Sequence, residues 1–454
     1  MKKDSTLKTL EQFIKTKNKI LKSEVATKVI KNSSWLVGDK AFTMLIGVFV
    51  IAIIARYFGP EKFGQFNYAL SFTALFTALS TLGLETLTVK SIVDEDYDEG
   101  AILCTSLILR AIGGILLTII AGIIIRIIEP NDTNLHILVL IMSFTMVLKS
   151  LEVIEYWIQA YQKAKISSII RMSAYVLSAI LKICLVIFRG GLIQYALIYS
   201  IDALIIGTSL IIAYYKFREN KDKWKININY AKYIMSQSWY LILSGLMITL
   251  YMKIDNVMLG SMMPSRTEVG IYSAATQVAS MWYFVPMAVI TSLKPVIMGK
   301  KKIDEKSYIK SLQLLYTIVA WMGIGFGIFI LGFSNIIIGI LYGAEYANAA
   351  SILSISVWAG TFAMLGSARS IWLICEGLQK YTLIYTFVGL VVNISLNYIL
   401  IPIMGGYGAA IATLSAQFSA NILALVVFKD TRISTIMILK SFSPKRLLLI
   451  LKNS

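Results

Sequence analysis

Ionisable side chains interrupt long apolar stretches throughout this 454-residue chain. Arg110, Lys149, Lys182 and Asp202 fall near the middle of their stretches, Glu85, Glu152, Lys294 and Arg369 toward one end, and Arg56, Lys253 and Asp255 toward the other. A charge at such depth is costly and is kept where it faces a bundle interior or a wet cavity. The seven cations, Arg56, Arg110, Lys149, Lys182, Lys253, Lys294 and Arg369, are therefore candidates for binding. Facing one chamber, they would attract a polyanion and repel a cation; a diphosphate held by Arg forks and Lys point charges fits that field. The acids Glu85, Glu152, Asp202 and Asp255 are candidates for carrying a coupling proton or cation, or for pairing with these bases. Lys149 and Glu152, three apart on one helix, are placed to pair directly. Tyr156, Tyr161, Asn256, Gln277, Trp282, Tyr283, Asn393 and Asn397 add the hydrogen-bonding and aromatic surface that sugars need.

Composition excludes several classes. The chain is 57% hydrophobic and only 15% charged, with a mean hydropathy of +0.72, far from the soluble range of about a quarter charged. Its net charge of +18 resides mostly in gaps and tails, where it sets topology and meets anionic headgroups; nucleic acid is not an expected partner. A single histidine, His136, argues against a His-based metal site or a Ser-His-Asp triad, and no cofactor is expected. Cys104, Cys184 and Cys375 lie far apart inside apolar stretches, which argues against a disulfide framework. Gly323-Ile324-Gly325-Phe326-Gly327 has the glycine density of a phosphate loop but sits in an apolar span, where it reads as a helix-packing face.

The elements that must position these charges are membrane helices. A bilayer core of about 30 Å takes roughly 20 residues of helix. On that ruler, spans are expected at 34–57, 66–88, 101–128, 135–161, 167–188, 192–216, 233–260, 270–297, 309–333, 350–375, 381–401 and 405–428. The apolar run Ile336 to Leu341 is too short to cross and is expected to cap a helix end. Pro286 and Pro295 should kink or weaken the eighth span.

Alternate gaps, beginning with residues 1–33, hold twenty-nine Lys and Arg residues, whereas the intervening gaps hold Lys62, Arg189 and Arg266. The positive-inside rule then puts both termini in the cytoplasm. Residues 1–33 read as a basic segment, either a surface helix amphipathic through Leu7, Leu10, Ile14, Leu21 and Val25 or a loosely ordered basic tail. An acidic run, Asp94 to Glu99, follows the second span and reads as a solvated loop or a contact for a basic segment.

The polar stretch 217–232 divides the chain into six-span lobes at 34–216 and 233–428, with a basic tail at 429–454. Gly59, then Lys62-Phe63-Gly64-Gln65, resembles Gly260, then Glu268-Val269-Gly270-Ile271. An even number of spans per half makes these parallel repeats about an axis along the membrane normal. The expected fold is an all-α polytopic membrane protein: about twelve helices in two lobes around a central cavity.

Three segments together resemble the bacterial polysaccharide exporters of the O-antigen flippase (Wzx-type) group, within the multidrug/oligosaccharidyl-lipid/polysaccharide superfamily. They are Ala55-Arg56-Tyr57-Phe58-Gly59-Pro60-Glu61-Lys62-Phe63-Gly64, Asp255-Asn256-Val257-Met258-Leu259-Gly260 with Val269 to Ala275, and Asn393 to Pro402 with Gly405 to Thr413. The resemblance covers essentially the whole chain in order. It implies a transporter rather than an enzyme, moving undecaprenyl-diphosphate-linked oligosaccharide, an O-antigen or capsule repeat unit, across the bacterial inner membrane by alternating access. Its expected partners are the lipid-linked oligosaccharide, membrane lipids, and the polysaccharide polymerase and chain-length machinery. The competing expectations are a drug or metabolite antiporter of the same superfamily, which needs an acidic aromatic pocket, and a non-transporting scaffold for polysaccharide assembly.

Overall fold

The computed structural model describes residues 24–218 and 222–446 and is helical almost throughout. Within a bilayer every backbone N–H and C=O must find an internal partner, and uninterrupted helices meet that demand. Among the described residues, ten segments are long and apolar enough to cross, the first running from Ser34 to Asp94 over 61 residues and the last from Lys380 to Val427 over 48 residues. Each of these two is too long for one crossing, and contacts show that each goes out and back.

The first element, α1 (Glu24–Ser80), contains Gly59 at φ 72° and ψ 170°. That left-handed backbone suits a residue without Cβ, and Pro60 follows it where a new helical leg needs no N–H. Asn32 Oδ1 accepts from the Ala164 N–H at 2.8 Å, the Tyr57 hydroxyl donates to the Gly190 carbonyl at 2.9 Å, and Gln159 donates to Glu85 at 2.9 Å. Residues 32 and 85 therefore lie at one end of the bundle, and residue 57 at the other. In α13 (Lys380–Phe418), Gly405 at φ 54° and ψ −135° makes the corresponding turn. Tyr381 bonds Asp430 at 2.8 Å beyond its return leg, whereas the Gly406 N–H reaches Glu268 at the far end, also at 2.8 Å. Ten segments thus make twelve passes, as the apolar pattern predicts.

After the turn at Leu82 and Gly83, the second pass is completed by α2 (Leu84–Asp94). Then come α3 (Glu99–Ile128), α4 (Thr133–Leu148), a 3₁₀ turn at Lys149–Val153, α5 (Ile154–Ala160), α6 (Ala164–Ile187) and α7 (Leu192–Phe217). The second lobe holds α8 (Ile228–Met262), α9 (Thr267–Met281), α10 (Phe284–Lys301), α11 (Glu305–Leu341), α12 (Ala349–Cys375) and α13, then a π turn at Ser419–Leu423, α14 (Ala424–Val427) and α15 (Arg432–Ser441).

Several expectations are refined. The eighth pass breaks between α9 and α10 at Trp282 and Tyr283, which places Pro286 in the first turn of α10, where its missing N–H leaves no intrahelical bond unmade. The ninth pass does not stop at Phe333: α11 carries Ile336 to Leu341 as helix, because nothing in that run breaks it before Gly343 at φ 87°. Gly323 and Gly327 pack against Thr361 and Trp358 of α12, the helix-packing role expected of that stretch. Part of the basic tail is α15, which packs on α11 through a bond from Gln313 to the Met437 carbonyl at 2.9 Å. Leu7, Leu10, Ile14 and Leu21 lie outside the described residues.

The linker between the lobes is strapped to the first. Lys225 pairs with Asp98 of the acidic run, the Asn227 N–H bonds Thr105 at 2.9 Å, and Trp224 stacks on Tyr215. The contact to a basic segment thus holds for Asp98. Asp98 keeps the exposed Lys225 amine protonated to a higher pH than usual through a direct hydrogen bond and charge attraction.

Candidate substrate chamber

At the Gly59 end the two lobes are in tight contact. The Gly64 and Gly270 positions of the repeated motif meet each other: a Cβ on Gly64 would sit 1.8 Å from the Arg266 carbonyl oxygen and 2.8 Å from the Gly270 nitrogen, and one on Gly270 would sit 2.0 Å from the Pro60 carbonyl oxygen. Small residues let the backbones approach this closely. The seam is reinforced by polar contacts. Arg266 pairs with Glu129 at 2.6 Å and lies over the Tyr68 ring at 4.4 Å, and the Tyr68 hydroxyl meets Ser261 at 3.1 Å. The Tyr346 hydroxyl donates to the Ala55 carbonyl at 2.9 Å.

Arg56 belongs to this seam and not to the chamber. Its Nε donates to the Leu341 carbonyl at 2.9 Å and its Nη2 to the carbonyls of Gly339, at 3.1 Å, and Ile340. These are the last carbonyls of α11; that of Gly339 also accepts from the Gly343 N–H at 3.2 Å, and the negative end of the helix attracts a cation.

Away from the seam, two adjoining cavities open between helices. The larger, of about 760 Å³, is lined by Lys253, Asp255, Lys294 and Arg369, with Asn256, Gln277 and Tyr283 among its polar surface. The smaller, of about 340 Å³, is lined by Lys149, Lys253, Tyr199 and a run of threonines, Thr73, Thr77, Thr81, Thr145 and Thr249. Lys253 borders both. α8 carries it beside the second leg of α1, and the Asn256 amide bonds Ser71 there at 3.0 Å. The structure therefore brings Lys149, Lys253, Lys294, Arg369 and Asp255 to one region.

The other candidates go elsewhere. Arg110 is buried inside the first lobe, where its Nη1 donates to the Tyr156 hydroxyl at 3.0 Å. Lys182 lies over the rings of Tyr195 and Tyr199, flanking the smaller cavity, and Asp202 feels the charges of Lys182 and Lys149. Glu85 is exposed and accepts from Gln159. The expected Lys149–Glu152 pair is replaced: Nη2 of Arg171 of α6 takes Glu152 at 3.2 Å and Glu155 at 3.1 Å, bridging the two carboxylates. Of the sugar-type groups, Tyr156 serves Arg110 and Trp282 stacks on Phe326. Asn393 and Asn397 act through Asp255.

Asp255 is the most heavily bonded group in the chamber. Its Oδ1 accepts from the amides of Asn393 at 3.0 Å and Asn397 at 2.7 Å, and its Oδ2 from the Tyr272 hydroxyl at 2.6 Å and from Thr413. All four donors are neutral, so the carboxyl group is satisfied by dipoles in place of a counter-cation. They come from α9 and from both legs of α13, which ties three passes to the state of one carboxylate. Thr413, Tyr385, Gln417 and Asn421 also line the larger cavity. No depth argument selected them, because neutral polar residues are inexpensive enough to occur anywhere in a span.

The comparisons agree with this architecture. The lipid II flippase MurJ in an inward closed conformation superposes with a TM-score of 0.72 at 17% identity, over 89% of this chain and 90% of that one. A multidrug resistance MATE transporter of the MOP superfamily, inward-facing, gives 0.68 at 17% identity over 88% and 96%, and an outward-facing one 0.57 at 17% identity over 93% and 98%. In sequence, the probable low-salt glycan biosynthesis flippase Agl15 of Haloferax volcanii is 27% identical over 244 residues, 51% of this chain and 48% of that protein. The chain thus matches about half the length of that curated relative. A MatE family model matches residues 241–399. The polysaccharide biosynthesis protein model matches residues 29–301, more than half of the chain: with the two-lobed fold of the MOP superfamily transporters, the chain belongs to the polysaccharide biosynthesis protein family.

Proposed function

We propose that this protein is a flippase that carries a lipid-linked oligosaccharide across the membrane by alternating access. The observation that carries the reading is the lining of the chamber: Lys149, Lys253, Lys294 and Arg369 converge there, and the carboxylate among them, Asp255, is occupied by neutral donors. Such a surface attracts the diphosphate of a lipid carrier and repels a cationic drug, which argues against the antiporter alternative. Lys253, which borders both cavities, and Lys149, in the smaller one, are the groups we assign to the diphosphate. The polar wall of the larger cavity takes the sugars, and the prenyl tail remains in lipid.

The basic gaps put the seam at the outer face, so the closed seam corresponds to a chamber loading from the cytoplasm. Transport then requires the Gly64–Gly270 contact and the Arg56 clamp to part. Asp255 is the coupling group in this scheme. A carboxylate that binds a proton or a small cation cannot keep all four of its donors, so occupancy rearranges α9 and α13. The substrate is an undecaprenyl-diphosphate repeat unit for O-antigen or capsule, and the membrane is the bacterial inner membrane.

The test is replacement of Lys253 and Lys149 by Gln, alone and together. Surface polysaccharide should fall while membrane abundance holds; full export by the double variant would refute the assignment.

A further inference from the structure

Arg369 is a poorly compensated charge in the chamber. It is 4% exposed, yet its Nε has no hydrogen-bond partner. Its Nη1 makes two long contacts, 3.3 Å to the Ala420 carbonyl and 3.5 Å to the Asn421 carbonyl, both in the π turn that follows α13. Good N–H···O bonds lie near 2.9–3.0 Å, so capping this turn uses little of the guanidinium's capacity. The ring of Tyr385 lies 4.7 Å away, and the ionisable groups that act on Arg369 are the phenols of Tyr316 and Tyr385, not a carboxylate. A buried cation without an anion is strongly unfavourable. The site is thus built for a negative group that arrives from the cavity.

The charge balance indicates which negative group. The two cavities are lined by four cations, Lys149, Lys253, Lys294 and Arg369, and one carboxylate, Asp255, a surplus of three positive charges. A diphosphate diester carries two negative charges, which leaves one positive charge unmatched. Lys149 borders only the smaller cavity and Arg369 only the larger. Beside Arg369, Ser367, Ser370, Thr386 and Gln417 present the hydroxyls and amide that sugar hydroxyls pair with. An Arg fork suits a planar carboxylate.

We infer that the Arg369 corner of the larger cavity recognises an acidic sugar, so that the glycan moved by this protein carries a hexuronate carboxylate. The inference rests on the flippase reading and specifies its substrate class.

The experiment reconstitutes the full-length protein in liposomes with two synthetic substrates. Both are undecaprenyl-diphosphate disaccharides, one ending in glucuronate and the other in glucose, and their appearance in the opposite leaflet is followed by a membrane-impermeant oxidant. A hydrogen-bonded charge pair of this kind is worth at least about tenfold in half-saturating concentration. The wild type should prefer glucuronate by that factor, Arg369→Gln should bring the ratio to about one, and Arg369→Lys should retain part of it. Equal handling of the two disaccharides by the wild type would overturn the inference without touching transport, and that measurement needs no variant to fold. An unchanged ratio in Arg369→Gln would overturn it as well, since the arginine would then serve the diphosphate or the π turn. Movement of neither disaccharide would refute the flippase reading and the inference with it.

Discussion

Replacing Gly64 by alanine should wedge the seam between the lobes. The added Cβ would lie 1.8 Å from the Arg266 carbonyl oxygen and 2.8 Å from the Gly270 nitrogen. Comfortable C···O contacts begin near about 3.3 Å, so the backbones must part by about 1.5 Å, and both sides are backbone with no side chain that can swing away. Overpacking of this kind costs about 1–3 kcal/mol. The penalty falls on the seam-closed state alone, because the methyl is unopposed once the lobes separate. At about 1.4 kcal/mol per decade, the closed-to-open ratio drops by roughly 5- to 150-fold. The readout is labelling of Gln277→Cys, in the wall of the larger cavity, by a membrane-impermeant maleimide added from the seam side, with Cys104, Cys184 and Cys375 replaced. Gly64→Ala should raise the labelling rate about tenfold. Gly325→Ala, on α11 with nothing within 4 Å of its Cβ, should leave it unchanged. Gly270→Ala should act like Gly64→Ala, and the double variant should fall short of the product, since both open the same contact. An unchanged rate in Gly64→Ala at normal abundance would refute the view that this seam closes the chamber.

Asp255→Asn keeps the volume but replaces one acceptor oxygen by a donor facing Tyr272, Thr413 or the two asparagines, so transport should lose its dependence on pH or on the coupling cation; retention of that dependence would exclude Asp255 as the coupling group. Tyr156→Phe removes the partner of the buried Arg110 Nη1 and should lower stability by about 1.5–3 kcal/mol, seen as a lower thermal midpoint with half-saturating substrate unchanged; a changed half-saturation would bring Arg110 back to the chamber. Arg56→Ala uncovers the last carbonyls of α11 and should speed labelling of the Gln277→Cys reporter; no change would show that the clamp does not hold the seam.

Twelve passes were legible because hydropathy over roughly 20 residues is dictated by the bilayer, independent of tertiary detail. The tight turns at Gly59 and Gly405 were legible in part: each lies where one expected span gives way to the next, with Pro60 beside the first glycine and Pro402 three residues before the second. The contact of Gly64 with Gly270 was not, although the two were already matched as repeat positions. A repeat tells which residues are equivalent under the pseudo-two-fold axis, whereas only the packing tells that these two lie close enough to that axis to touch.

The division among the charged candidates has a related cause. Depth along a span identifies a side chain that is costly to leave unsolvated, and Arg110, Lys149, Lys182 and Arg369 share that property. What separates them is rotation about the helix axis, which fixes whether the charge meets a phenol, a carbonyl or a cavity. Arg110 finds the Tyr156 hydroxyl at 3.0 Å inside the first lobe and lines neither cavity, although its Nε too has no partner. Arg369, equally buried, finds two long carbonyl contacts and an unpartnered Nε. The criterion that selects a binding residue is therefore unmet bonding capacity that faces a cavity, rather than burial itself. By that criterion Arg369 is open to an incoming anion, whereas Asp255, though it lines the same cavity, is already full and can act only by giving a donor up.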